Sequence, residues 1–156
     1  MTFIVISVII MFAFVYFMPK KLSRIEMYTT SLFAVLFAIL TDLYLVVKYH
    51  LYWYITKEVE WRWMIILLGG KPPVNLIFLN FFPFHSRWSR KTIYILFWAL
   101  FLTLFELGTV HIGKVLHYGE WNIWLSALLY PFLLLILYLN CLLVKYLIRQ
   151  LPISTE

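Results

Sequence analysis

Charge is what this chain has least of. Only 13% of its 156 residues are Asp, Glu, Lys or Arg, where a water-soluble domain draws roughly a quarter from these four types. That shortage excludes an ordinary soluble globular domain, because too few polar side chains remain to cover its surface. Cysteine is reduced to Cys141, within an apolar run, so there is no intrachain disulfide framework and no cysteine-based zinc site. No two histidines have the spacing of a metal motif, and neither a nucleophile elbow nor an HExxH helix occurs. Gly69-Gly70-Lys71 runs into Pro72 and lacks the Walker spacing of a phosphate loop. No metal and no cofactor is expected. Also missing are a linker, an internal repeat and a low-complexity tract, so residues 1–156 read as a single integral membrane domain. The first residues, "MTFIVISVII", lack the basic n-region and cleavage pattern of a secretory signal and read as a retained first helix.

What is there is hydrocarbon. The chain is 64% hydrophobic and 21% aromatic, with a mean hydropathy of +0.90. A membrane helix needs about 20 mainly apolar residues, and the runs at about 2–18, 27–47, 92–112 and 121–144 qualify. A further run at about 63–84 qualifies apart from Gly69, Gly70, Lys71, Pro72 and Pro73 in its middle. The prolines lack the amide hydrogens that carbonyls one turn earlier require, and the glycines loosen the backbone, so this run reads as a broken helix. Barrel strands would be shorter and would alternate. The expected fold is therefore all-α: a polytopic membrane helix bundle with five transmembrane helices, the third broken at Gly-Gly-Lys-Pro-Pro.

The net charge of +6 does not point to nucleic acid, because the basic residues cluster between apolar runs instead of covering one solvated face. They read as topology signals. With five crossings, Lys20, Lys21, Arg24, Arg87, Arg90, Lys91, Lys145 and Arg149 share one side, against Lys48, Lys57, Arg62 and Lys114 on the other. The richer side is cytoplasmic by the positive-inside rule, which places the N-terminus outside and the C-terminus inside. The outer loops, "KYHLYWYITKEVEWRW" and "GKVLHYGEWNIW", are then expected to lie along the outer surface as an aromatic belt.

Ionisable residues inside such spans are functional-site candidates by default. Asp42 stands six residues before Lys48 and Glu106 six before Ile112, which puts both roughly 9 Å below the outer boundary. Lys71 lies at roughly 12 Å and Tyr130 at roughly 13 Å by the same rise. These depths predict an outer-half layer in which Asp42, Lys71 and Glu106 neutralise one another, joined by Tyr130 and His111. Thr41 adjoins Asp42. Thr103 and Thr109 share with Ala99, Glu106 and Gly113 a small, polar stripe that should face protein. Asn75 supports the layer and, like Asn80 and Asn140, is expected to hydrogen-bond between helices. His50, His85 and His117 read as loop or interfacial residues.

Two readings stay open. In one, the layer binds or passes a proton, cation or small polar molecule. In the other, the protein is an accessory or structural membrane protein, in sporulation or a stress-adapted membrane, whose charges only hold the bundle. Catalysis on lipid headgroups, with one carboxylate as general base, lacks its usual companions, so an enzyme is not expected. Five helices are few for a complete transporter, so a homo-oligomer or a membrane-protein partner is expected alongside the lipid bilayer.

"LTDLYLVVKYHLYWY", "NLIFLNFFPF" and "WLSALLYPFLLLILYLN" resemble the recurring blocks of a family of small multi-pass membrane proteins of endospore-forming Firmicutes such as bacilli and clostridia. The likeness covers about Lys20 to Lys145. It implies a bacterial cytoplasmic-membrane location and brings no activity and no site residues with it.

Overall fold

The computed structural model describes residues 2–56 and 61–150. Lys57, counted above among the outer basic residues, lies outside them. Five helices and two short strands follow in order: α1 (Thr2–Phe17), α2 (Arg24–Lys48), β1 (Tyr52–Tyr54), α3 (Arg62–Asn80), α4 (Trp88–His111), β2 (Leu116–Tyr118) and α5 (Ile123–Gln150). The helices α2 to α5 are each long and apolar enough to cross a membrane, whereas α1 is a shorter apolar helix of 16 residues. Their outward side chains are apolar too. Ile10, Phe97, Leu100 and Leu128 each leave more than half their surface uncovered, which suits a hydrocarbon solvent and would be costly in water.

Local chemistry decides where the helices begin and end. Ser23 caps α2 in a reciprocal box, its Oγ accepting from Glu26 N–H while Glu26 Oε2 accepts from Ser23 N–H at 2.8 Å. The third helix stops at Asn80, short of the expected 84, because Asn80 turns its side chain onto the α1–α2 connection. Its Oδ1 accepts from Lys21 N–H at 2.8 Å and its Nδ2 donates to the Pro19 carbonyl at 2.9 Å.

The expected break in the third helix is not an opening. Ile65–Gly70 is wound as a π-helix, and the α-helical part resumes at Lys71 with Pro72 and Pro73 at its first positions. The wider winding moves the bonding register across the stretch that the prolines would interrupt, and first-turn positions are where proline is tolerated best. Gly69 serves packing: a Cβ there would stand 3.2 Å from the side chain of Val8 on α1. A second π-helical stretch, Leu43–Lys48, follows Asp42 at the end of α2. Such turns are rare and gather at functional sites.

The core fills one end of the bundle. Phe78, Leu79, Leu134 and Cys141 are almost completely buried, with Ile95, Ala99 and Tyr138 around them. Phe82 stacks on Tyr138 at 4.4 Å, and Phe78 meets Tyr94 and Trp98 at 5.6 and 5.7 Å between ring centres. The other end is covered by a two-stranded antiparallel ribbon in the register Tyr52↔Tyr118, Trp53↔His117 and Tyr54↔Leu116. Side chains alternate across a strand, so Tyr52, Tyr54, Tyr118 and Leu116 share one face, while Trp53 stacks on His117 at 5.9 Å on the other. The tyrosine face turns into the bundle. The expected surface belt therefore describes the exposed Tyr49 and Trp61 but not these tyrosines.

Candidate functional site

Beneath the ribbon lies a cavity of about 300 Å³ to which all five helices contribute. Asp42 ends the α-helical part of α2, Lys71 begins that of α3, Glu106 sits in the last turns of α4, and Ser126 and Tyr130 lie on the first turns of α5. All of them line it, as do Thr41 and Thr109. The predicted layer is thus drawn together around one space, though not in full. His111 is exposed at the end of α4 and does not reach the cavity. Thr103 turns its hydroxyl back onto the Ala99 carbonyl at 2.8 Å. Asn75 is buried deeper, where its Nδ2 donates to Thr30 Oγ1 of α2 at 3.3 Å.

The expected neutralisation of the carboxylates by Lys71 does not occur. Among the described residues Lys71 makes no ion pair; the pair that forms, Lys145 with Glu26 at 2.9 Å, is at the opposite end. Hydroxyls take its place. Glu106 accepts from Tyr118 at 2.5 Å and Ser126 at 2.7 Å through Oε1, and from Tyr130 through Oε2. Trp121 Nε1–H donates in turn to Ser126 Oγ at 2.8 Å. Asp42 Oδ1 accepts from Tyr52 at 2.6 Å, with the Tyr54 hydroxyl 3.5 Å away. Neutral donors stabilise a buried carboxylate without the desolvation cost of burying a lysine beside it.

The ribbon phenols are held as permanent donors. Burial, reinforced by the Asp42 carboxylate, pushes Tyr52 and Tyr54 well above the usual tyrosine range, and burial together with Glu106 does the same to Tyr118.

Comparison with protein-family models, curated proteins and solved structures finds no match. The site must be judged on its own geometry.

The two carboxylates differ in one respect that matters. Both oxygens of Glu106 are occupied, whereas Asp42, only 6% exposed, has an Oδ2 with no hydrogen-bond partner among the described residues. A buried oxygen in that condition costs free energy that a donor would recover. The residues missed from sequence are Tyr52, Tyr54, Tyr118 and Ser126. Three of them sit on strands of only three residues, "YWY" and "LHY", too short for a period to announce them.

Proposed function

We propose that this chain is an integral protein of a bacterial cytoplasmic membrane, with five crossings, its N-terminus outside and its C-terminus inside, and that the cavity under the ribbon binds a small ligand through a cationic donor at Asp42. Membership in the small multi-pass family that its wording resembles is part of this proposal. The apolar exterior supports the membrane reading, and the clustering of Lys20, Lys21, Arg24, Arg87, Arg90, Lys91, Lys145 and Arg149 supports the orientation. The observation that carries the binding reading is the buried carboxyl of Asp42, a residue of the cavity wall whose Oδ2 has no hydrogen-bond partner among the described residues.

An ammonium group suits that oxygen because a charge-assisted hydrogen bond offsets both the lost hydration of the acid and the lost pairing. Asp42→Asn keeps an acceptor for Tyr52 and removes the charge. In protein reconstituted in nanodiscs, binding of n-butylammonium, followed by tryptophan fluorescence, is expected to weaken about tenfold or more in that variant. Equal affinity in a variant of wild-type helicity overturns the reading.

A structural role is favoured for Glu106 by its saturation. Three hydroxyls from β2 and α5 converge on it, so Glu106→Gln is expected to lower thermal stability and leave ligand affinity within about threefold of wild type. If Asp42→Asn likewise costs stability alone, the accessory or structural reading of the whole protein takes over.

A further inference from the structure

The wall of the cavity changes character along its length. At the ribbon it carries Asp42, Glu106, Tyr52, Tyr54 and Ser126, with Lys71 also on the wall; away from it the lining is mainly apolar, with Val74, Leu102, Leu134 and Leu137. Ala38 and Ala34 also line it, four and eight residues before Asp42, and this spacing puts all three on one face of α2. The result is a trough of small side chains that leads from the acid into the apolar part, roughly 12 Å long by the helical rise from Asp42 to Ala34. A bare cation would make no use of that wall, since only its head meets a partner.

We infer that the ligand class is a single-chain amphiphile with a protonated primary amine, its ammonium on the Asp42 carboxyl and its hydrocarbon tail along the Ala38–Ala34 face. This rests on the cation-binding reading and specifies its occupant. A volume of about 300 Å³ lies at the low end of ligand pockets, which suits one chain and excludes a two-chain lipid from lying wholly inside. The amine can come from a free long-chain amine or from the headgroup of a single-chain lipid; the chemistry recognised is the same.

The test is a homologous series from n-butylammonium to n-dodecylammonium, titrated below micelle formation into the full chain in nanodiscs. Alkyl alcohols and alkyl sulfates of matching length, and lyso-phosphatidylethanolamine, serve as comparison arms. Affinity is expected to rise about fourfold per methylene and to level off once the tail exceeds roughly 12 Å. Alcohols and sulfates should bind at least about tenfold more weakly than amines of equal length. Ala38→Phe, which fills the trough, should flatten the length series while n-butylammonium still binds; Leu137→Trp at the far end is the second filler should the first not fold.

A flat series in the wild type, with n-butylammonium still dependent on Asp42, overturns the amphiphile and leaves the cation site standing. Equal affinity for sulfates overturns the headgroup assignment. A rise that never levels and survives both fillers is partition into the bilayer and overturns the tail assignment. Binding by lyso-phosphatidylethanolamine as tight as that of the amines assigns the source to a lipid, and its failure assigns it to free amines.

Discussion

At the end of the bundle held by Asn80, rings fill the space between the helices: Phe78, Phe82, Tyr94 and Tyr138 pack face and edge around Leu79, Leu134 and Cys141, and all of these side chains except the half-buried Tyr94 are almost wholly buried. At the ribbon end the same helices stand around a cavity of about 300 Å³, and the groups on its wall include two carboxylates, seven hydroxyl-bearing side chains and one ammonium, drawn from different elements. Polar groups occur at both ends, but they are spent differently. Asn80 and Glu26 direct their bonds to the backbone and to Lys145, closing turns and joining α2 to α5. Asp42 keeps one oxygen without a partner. Dense packing marks the stable end, where the buried oxygens left without a partner, such as Asn140 Oδ1, belong to neutral groups; a carboxyl with an unpartnered oxygen, on a residue that lines open space, marks the end where a ligand would gain most.

Phe78→Ala should break the closed end. Phe78 has no exposed surface and touches three other rings, so its truncation is expected to cost about 3–5 kcal/mol, read as a lower thermal midpoint in detergent. Alkylammonium affinity should stay at the wild-type level, because Phe78 is not on the cavity wall. A variant that keeps its midpoint would mean that the ring cluster is not the centre of stability; one that keeps it and loses binding would reverse the assignment of the two ends.

Glu106→Leu should break the ribbon end next most strongly. It strips the acceptor from Tyr118, Ser126 and Tyr130 at once and is expected to cost about 2–3 kcal/mol. The comparison is sharpened by hydrogen exchange. In this variant the amides of β1 and β2 should lose protection while those around Phe78 keep theirs, whereas uniform loss would mean that the two ends unfold as one unit.

The closed end and the helices around it were largely legible in the sequence, because long apolar runs and their period announce helices whatever they pack against. Depth counting along those helices brought Asp42, Lys71, Glu106 and Tyr130 to one level, and the cavity has them all on its wall. Three things were not legible. A π-helical turn differs from an α-helical one by a single residue of register, so Gly69 to Pro73 reads as a break when the backbone can widen instead. The pairing of Lys71 with the acids depended on side-chain reach, which depth does not give. The ribbon joins residues 52–54 to residues 116–118 across two intervening helices, and three-residue strands at such a distance carry too little pattern to be matched before the helices are placed.

A smaller effect belongs to the seam at the far end. Glu26, itself nearly buried, completes the Ser23 capping box and receives Lys145, whose side chain stays a quarter exposed, so that solvent still weakens the ion pair. Glu26→Ala is expected to cost about 1–2 kcal/mol and Lys145→Met less than about 1 kcal/mol, both measured as shifts in thermal midpoint. A loss for Lys145→Met equal to that for Glu26→Ala would show that the ion pair, not the cap, is what Glu26 contributes.

The least effect near neutrality, and the one most specific to the ribbon, is that of pH. Tyr52, Tyr54 and Tyr118 titrate above the 10.0 of a free phenol because they are buried beside Asp42 or Glu106. Where a folded-state pKa is raised, the stabilisation is fully present below the unfolded value and fades as pH climbs past it, since the unfolded chain then gives up protons that the native one retains. The thermal midpoint should accordingly show no tyrosine-linked change between about pH 7 and pH 9 and should fall above about pH 10. Tyr52→Phe and Tyr118→Phe, combined, remove two of the three phenols and should flatten that alkaline fall while lowering the midpoint at neutral pH. An alkaline fall as steep as that of the wild type would place the responsible groups elsewhere in the bundle and would leave the ribbon no more sensitive to pH than the end closed by Phe78.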